Sequence, residues 1–252
     1  MHIFERGDGD AVVLVHGANP VSYFDELVEA LVPRYRVLVP HLPGWGESSP
    51  LPEGQGFDAT DAALLEALSQ VGVSGAALVG YSLGGWRALD LALSGALEVR
   101  SVYLLSTFTA SPSKELRDRY RAYAELARSP ADLRSAVRDL YLPPAFAAAH
   151  PDIHEEVTEW VNACPRDVFA RELDAVAEMT DLKPRLSTLA APVVARVGAL
   201  DVAAPAEWSR EIVETVPHGR LEVVEGCGHV LLYEDRDATI ASVLKAVEGN
   251  GG

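Results

Sequence analysis

The chain has 252 residues, of which 48% are hydrophobic, and it carries a formal net charge of -16. A chain of this length and composition is expected to bury a full core as one domain, with room for a sizeable insertion, and to be neither disordered nor fibrous. The negative charge excludes nucleic acid and anionic membranes as expected partners, because both would repel the protein at long range. We therefore expect a small, neutral or weakly charged molecule as the substrate.

Short apolar runs rich in β-branched residues alternate with helical patterns along the chain. Such runs predict strands of a parallel sheet that is covered on both faces, at residues 11–15, 35–39, 76–79, 99–105, 192–197 and 220–224. Residues 2–5 are predicted to add an antiparallel edge. Apolar residues at helical spacing predict the intervening helices, at residues 23–31, 57–71, 82–97, 205–216 and 238–247.

One long interruption, residues 107–189, contains only helical patterns, at 113–128, 131–141, 152–164 and 166–180. It follows the carboxyl end of a strand, which is the edge where open α/β sheets bind their ligands. The sequence therefore predicts a core at residues 1–106 and 190–248, a helical cap at 107–189, and a disordered tail at 249–252.

The most informative motif is Gly80-Tyr81-Ser82-Leu83-Gly84, between a predicted strand and a predicted helix. A strand that turns at once into a helix makes a tight, strained bend, which holds the serine hydroxyl at its apex. A serine needs a base, and the base needs an acid to orient it. Asp201 and His229 each follow a later strand, so all three side chains are expected at one edge of the sheet.

An acyl-transfer site also needs donors for the developing oxyanion. The backbone N–H of Leu83, directly after the serine, is one candidate, and the N–H of Ala18 is the other, with Asn19 as second choice. His16 and His41 are interpreted as structural, because a backbone turn explains their surroundings without the imidazoles. Candidate pocket residues are Asn19, Trp45, Tyr81, Tyr141, Trp160 and Phe169.

Four segments occur in an order that resembles α/β-hydrolase-fold enzymes of the lid-bearing esterase, lactonase and carbon-carbon hydrolase group: residues 16–17, 80–84, 198–201 and 226–229. The turn at 42–48 also resembles that group, although His41 stands where many relatives have aspartate. The resemblance implies a mostly parallel sheet of about seven or eight strands, flanked by helices and carrying an all-helical cap. The leading hairpin is expected to be reduced to one strand.

The resemblance and the motif together imply a cofactor-independent serine hydrolase that cleaves a carboxylic ester or lactone. Four alternatives stay open: a carbon-carbon hydrolase for a vinylogous diketone, a cofactor-free perhydrolase-like enzyme, an esterase for carrier-bound acyl chains, and a non-catalytic ligand-binding protein on the same scaffold. No metal site and no dinucleotide site are predicted. Two cysteines and no apolar leader or membrane-length run favour a cytoplasmic location, and the choice between monomer and homodimer stays open.

Overall fold

The computed structural model describes residues 1–52, 55, 57–109, 114–130, 132–134 and 140–249. Most of the predicted helix at 131–141 and most of the predicted tail at 249–252 lie outside these residues. No described helix combines the length and the apolar composition needed to span a membrane.

The described strands form one seven-stranded sheet in the order β1-β3-β2-β4-β5-β6-β7. Only the β1–β3 pair is antiparallel, so the predicted edge strand and the predicted parallel sheet are both confirmed. The strands are β1 (Ile3–Arg6), β2 (Ala11–Val15), β3 (Arg36–Pro40), β4 (Gly75–Tyr81), β5 (Glu98–Leu105), β6 (Val193–Gly198) and β7 (Gly219–Val224).

Helices flank this sheet; they occupy each connection from β2 onward, and two more follow the last strand. They are α1 (Asp25–Leu31), α2 (Phe57–Gln70), α3 (Leu83–Ser94), α4 (Lys114–Arg128), α5 (Pro144–Ala149), α6 (Pro151–Glu159), α7 (Arg166–Glu178), α8 (Ala206–Thr215), α9 (Leu231–Glu234) and α10 (Arg236–Val247). Helix α3 ends earlier than predicted, because Gly95 takes a left-handed conformation that terminates it. The predicted helix at 152–164 is shorter, and a 3-10 turn follows it at Trp160–Asn162.

The centre of the sheet is buried on both faces, as the apolar runs predict. Every residue of β2 is buried, and so is every residue of β4 except the first. Helix α3 starts tightly against this centre, because a Cβ on Gly84 would lie 2.1 Å from the carbonyl oxygen of Val15. A glycine is required there, since the neighbouring atom belongs to the backbone and has no room to move.

The helices α4 to α7 lie in the chain between β5 and β6 and are anchored on α3. The indole N–H of Trp86 donates to the carbonyl oxygens of Thr109 and Thr180, at 3.0 and 3.1 Å. These two residues stand near the two ends of the helical insertion, so one side chain of α3 joins both connections. The division into core and cap at residues 106/107 and 189/190 stays a prediction.

Candidate active site

Ser82 lies at the junction of β4 and α3 in a backbone conformation that non-glycine residues rarely adopt. Its φ is 53° and its ψ is -124°. The bend is held on both sides, because Ser82 N–H donates to the carbonyl of Leu105 at 2.9 Å and its own carbonyl accepts the hydroxyl of Thr107 at 2.5 Å. Strain of this kind persists where the surroundings enforce it, and it is typical of a strand-to-helix nucleophile bend.

His229 and Asp201 form a buried pair on the loops after β7 and β6. The imidazole Nδ1 lies 2.8 Å from Asp201 Oδ2, and both side chains are almost fully shielded from solvent. The other carboxylate oxygen accepts the N–H groups of Ala203 and Ala204, at 2.9 and 2.8 Å. Asp201 is thereby locked with one oxygen left for His229, which fixes the proton on Nδ1 and leaves Nε2 as an acceptor.

The sequence brings these two loops together through a glycine. A Cβ on Gly198 would lie within 2.3 Å of the carbonyl oxygens of Cys227 and Gly228, so only glycine permits this approach. The N–H of Leu200 also donates to the carbonyl of Cys227 at 2.8 Å. Within the described part of the chain, Nε2 of His229 has no hydrogen-bond partner. Ser82 and His229 line the same pocket.

Both residues that are predicted to donate to the oxyanion belong to the lining of that pocket. Ala18 and Leu83 both line it, and a Cβ on Gly17 would lie 3.1 Å from the Ser82 Cβ and 3.2 Å from the Leu83 nitrogen. The N–H of Gly17 is occupied by the side-chain oxygen of Asn19 at 2.8 Å. The N–H groups of Ala18 and Leu83, in contrast, have no acceptor among the described residues. This arrangement favours Ala18 over Gly17 as the second donor.

His16 has a structural place beneath this loop. Its Nε2 accepts the N–H of Leu42 at 3.0 Å, so its Nδ1 carries the proton and donates to the carbonyl of Gly17 at 2.8 Å. Complete burial lowers the pKa of His16 to about 3, which keeps the ring neutral. The imidazole ties the loop after β2 to the turn after β3.

Only two of the six predicted pocket residues, Tyr141 and Phe169, line the pocket that contains Ser82. Asn19 lies outside that lining, and its side chain turns back to the Gly17 N–H and the Pro20 carbonyl. The other three are absorbed by packing between aromatic rings. Trp45 lies edge-on to His16, while Tyr81 and Trp160 pack against Tyr23 with ring centroids 4.4 and 5.4 Å away.

Sequence reasoning missed most of the lining. The missed residues include Phe108, Tyr120, Tyr123, Glu172, Leu173 and Val176. One signal was available, because Phe169, Leu173 and Val176 are spaced four and three apart and so share one face of α7. That face was indistinguishable in sequence from an ordinary core-facing one.

Glu172 is the one carboxylate among the described residues that line this pocket. It is 7% exposed, and its Oε2 lies 3.4 Å from the guanidinium of Arg87, which itself pairs more closely with Asp61 at 2.6 Å. Arg87 thus shares one positive charge between two carboxylates. Burial raises the pKa of Asp61, and the charge of Arg87 opposes that rise.

Two histidine groups bear on the prediction of no metal site. His2, His41 and Glu47 place potential ligand atoms within 4.8 Å of one another. However, Nδ1 of His41 accepts the Glu47 N–H at 3.0 Å, so a neutral His41 carries its proton on Nε2 and has no lone pair free there for a metal. The sequence also contains a pair four residues apart, His150 and His154, a spacing that the sequence interpretation overlooked. The ring of His150 stacks on Phe146, with centroids 4.3 Å apart.

Comparisons with known proteins agree with this architecture. Residues 12–243 match the model of the alpha/beta hydrolase family. The chain is 24% identical over 258 residues to a 2-hydroxy-6-oxo-6-phenylhexa-2,4-dienoate hydrolase of Burkholderia cepacia, covering 94% of this chain and 87% of that protein.

Two solved structures show the same fold. A thermophilic esterase from Thermogutta terrifontis has a TM-score of 0.88 at 24% identity, covering 97% of this chain and 91% of its own. An enol-lactonase from Burkholderia xenovorans has a TM-score of 0.89 at 22% identity, covering 98% and 96%. Because the family model matches nearly the whole length of this chain, the chain belongs to the alpha/beta hydrolase family.

Proposed function

We propose that this enzyme is a cofactor-independent serine hydrolase that cleaves a carboxylic ester or lactone of a small, largely apolar substrate. One observation carries the proposal: the strained Ser82 and the buried His229–Asp201 pair meet in a pocket whose other walls are mostly aliphatic and aromatic. A nucleophile, a base and an orienting acid in one apolar pocket are the parts that acyl transfer requires.

In the proposed reaction Ser82 Oγ attacks the substrate carbonyl while Nε2 of His229 takes the hydroxyl proton. Asp201 holds the proton on Nδ1 and stabilises the imidazolium that forms. The N–H groups of Leu83 and Ala18 bind the tetrahedral oxyanion, and each such donor contributes about 3 kcal/mol in the transition state. His229 then protonates the leaving alkoxide, and water hydrolyses the acyl-enzyme by the same steps.

Carbon-carbon bond hydrolysis is the second candidate, because the Burkholderia cepacia relative is named for a dienoate substrate. A dienoate carries a carboxylate, and the charges around this pocket do not favour one. Arg87, Asp61 and Glu172 together sum to one negative charge, and no lysine or arginine lines the pocket in the described part of the chain. Burial of a substrate carboxylate beside Glu172 would cost free energy, whereas a neutral ester or lactone avoids this cost.

Labelling with a fluorophosphonate probe and hydrolysis of p-nitrophenyl butyrate test the proposed chemistry. We expect both in the native protein and neither in Ser82→Ala, with the probe located on Ser82 by mass spectrometry. Ser94→Ala is the matched control, since that serine stands at the far end of α3 and its hydroxyl bonds only locally, donating to the Leu91 carbonyl and accepting the Ala96 N–H. Undiminished ester turnover in Ser82→Ala would disprove the nucleophile, and an unlabelled native protein would favour the ligand-binding alternative.

A pair of esters that differ in charge tests the specificity. The native enzyme should prefer p-nitrophenyl butyrate to the mono-p-nitrophenyl ester of glutaric acid, and Glu172→Gln should shift the ratio of kcat/KM toward the acid by roughly tenfold or more. Glu178→Gln is the control, because this exposed carboxylate of α7 lies outside the pocket. Efficient cleavage of a dienoate diketone, with poor ester turnover, would establish the second candidate instead.

The remaining expectations stand as part of this proposal. They are a helical cap at residues 107–189, a small-molecule substrate, no cofactor and a cytoplasmic location. An assay that measures peracid formation tests the perhydrolase-like alternative. An assay that measures cleavage of acyl thioesters tests the carrier-bound alternative.

A further inference from the structure

A second carboxylate, Glu234, holds the loop that carries His229. One oxygen of Glu234 accepts the N–H of Gly228 at 2.6 Å, and the other accepts the N–H of Val230 at 2.9 Å. The N–H between them, that of His229, donates to the carbonyl of Tyr141 at 3.1 Å. Three consecutive amides of this loop are therefore fixed, and one side chain fixes two of them.

The geometry of this clamp acts directly on the imidazole. The amides that Glu234 holds lie immediately before and after His229, so they set the backbone position from which its ring reaches Asp201. The ring is also confined on its faces, because Tyr141 stacks on it at 5.2 Å between centroids and Tyr81 lies 5.1 Å away. The lateral packing confines the ring, whereas the loop amides determine where the ring starts.

We propose that Glu234 is a positioning residue for His229, whose ionised carboxylate keeps the catalytic imidazole aligned with Asp201 and Ser82. This inference rests on the proposed function, in which His229 is the base. A carboxylate suits the role because it accepts at both oxygens, and a protonated acid would present an O–H to one of the two amides. Loss of that hydrogen bond would leave a loop amide without its acceptor and release one side of His229.

The titration of Glu234 falls in a range where the activity would report it. Burial raises the pKa of Glu234 to about 7, although the two amides and the charge of His229 act to lower it. The titratable groups facing it are Asp201, His229, Tyr23, Tyr81 and Cys227. Protonation of Glu234 should therefore add one proton to those whose binding lowers the activity toward low pH.

The test is the pH dependence of kcat/KM for a neutral p-nitrophenyl ester in the native enzyme and in Glu234→Gln. On logarithmic axes the native acid limb should steepen from a slope of one toward two over the roughly one to two pH units in which Glu234 is protonated, and the variant limb should keep a slope of one. At pH 8 the variant should lose about tenfold to a hundredfold in kcat/KM, since glutamine accepts from one amide only. Asp237→Asn removes an equal charge from an exposed site three residues away, and it should leave the profile unchanged.

The outcomes separate this inference from the proposed function. A native acid limb with a slope of one, or a slope of two retained in Glu234→Gln, would overturn the positioning role while leaving Ser82-dependent hydrolysis intact. A purely structural role would lower the melting temperature without changing the slope, and it would also count against the inference. If the glutamine variant does not fold, an NMR titration of the Glu234 carboxyl carbon in the ¹³C-labelled native enzyme provides the test instead. Its titration midpoint must coincide with one proton of the acid limb, and a midpoint elsewhere refutes the inference.

Discussion

Asp201→Asn should abolish most of the activity while leaving the fold intact. The side chain of Asp201 has two distinct jobs, because Oδ1 accepts the N–H groups of Ala203 and Ala204 and Oδ2 accepts from His229. Asparagine has a single oxygen, and it must choose between the two backbone amides and the imidazole. The choice determines which nitrogen of His229 carries the proton.

The hydrogen bonds give the size of the effect. If the asparagine oxygen faces His229, the NH₂ group faces the two buried N–H groups, which then have no acceptor. Each of these lost hydrogen bonds costs about 1–3 kcal/mol. The opposite orientation keeps both amides and places the NH₂ group against Nδ1, which then moves the ring proton to Nε2. The productive orientation is therefore at least about 2 kcal/mol less stable, or roughly thirtyfold less populated. A serine hydrolase with the wrong tautomer typically loses about 10⁴-fold in kcat.

Steady-state kinetics and urea unfolding of Asp201→Asn and Asp201→Ala check this reasoning. The asparagine variant should lose between about thirtyfold and 10⁴-fold in kcat, with nearly native stability. The alanine variant should lose activity and also about 2–4 kcal/mol of unfolding free energy, because it leaves both amides without an acceptor. An asparagine variant with a kcat within threefold of the native value would refute the assigned role of Asp201. That ratio corresponds to a change of only about 0.65 kcal/mol in the activation free energy.

Two further changes probe the scaffold. Gly84→Ala should lower the unfolding free energy by about 3 kcal/mol or more, because its Cβ would lie 2.1 Å from the carbonyl oxygen of Val15; a urea midpoint equal to that of the native protein would contradict this packing. His16, with its folded pKa of about 3, should make the native protein lose stability as pH falls below about 6.5, since the unfolded state then binds a proton that the folded state does not. Relative to His16→Gln, the native protein should lose about 2–3 kcal/mol between pH 7.5 and 4.5, and parallel stability curves would show that His16 is not held neutral. Glu234, whose pKa is raised, acts in the opposite direction over this range, and its contribution cancels in the comparison.

The elements of the fold and the bend at Ser82 were readable from local patterns. Strands that are apolar on both faces indicate a parallel sheet, and the glycines around Ser82 indicate a strand-to-helix bend. Both features are predictable because each pattern lies within a few neighbouring residues. Asp201 and His229 were also predictable from the sequence, because each follows the carboxyl end of a strand and parallel strands end at one edge of the sheet. The lengths of helices were less accurate, as their ends depend on caps such as Gly95.

Local sequence patterns were enough to predict the sheet, its covering helices and the residues that follow the strand ends. The side chains that surround those residues became known only from the assembled fold. Glu172 lines the pocket, whereas Trp45, Tyr81 and Trp160 lie outside its lining. These three aromatic rings pack against rings on other elements, and no spacing in the sequence predicts such partners. Glu234 reached the His229 loop in the same way, by the direction in which a short helix turns after β7. Local periodicity records which face of an element is apolar, but the contacts between faces depend on how distant elements are assembled.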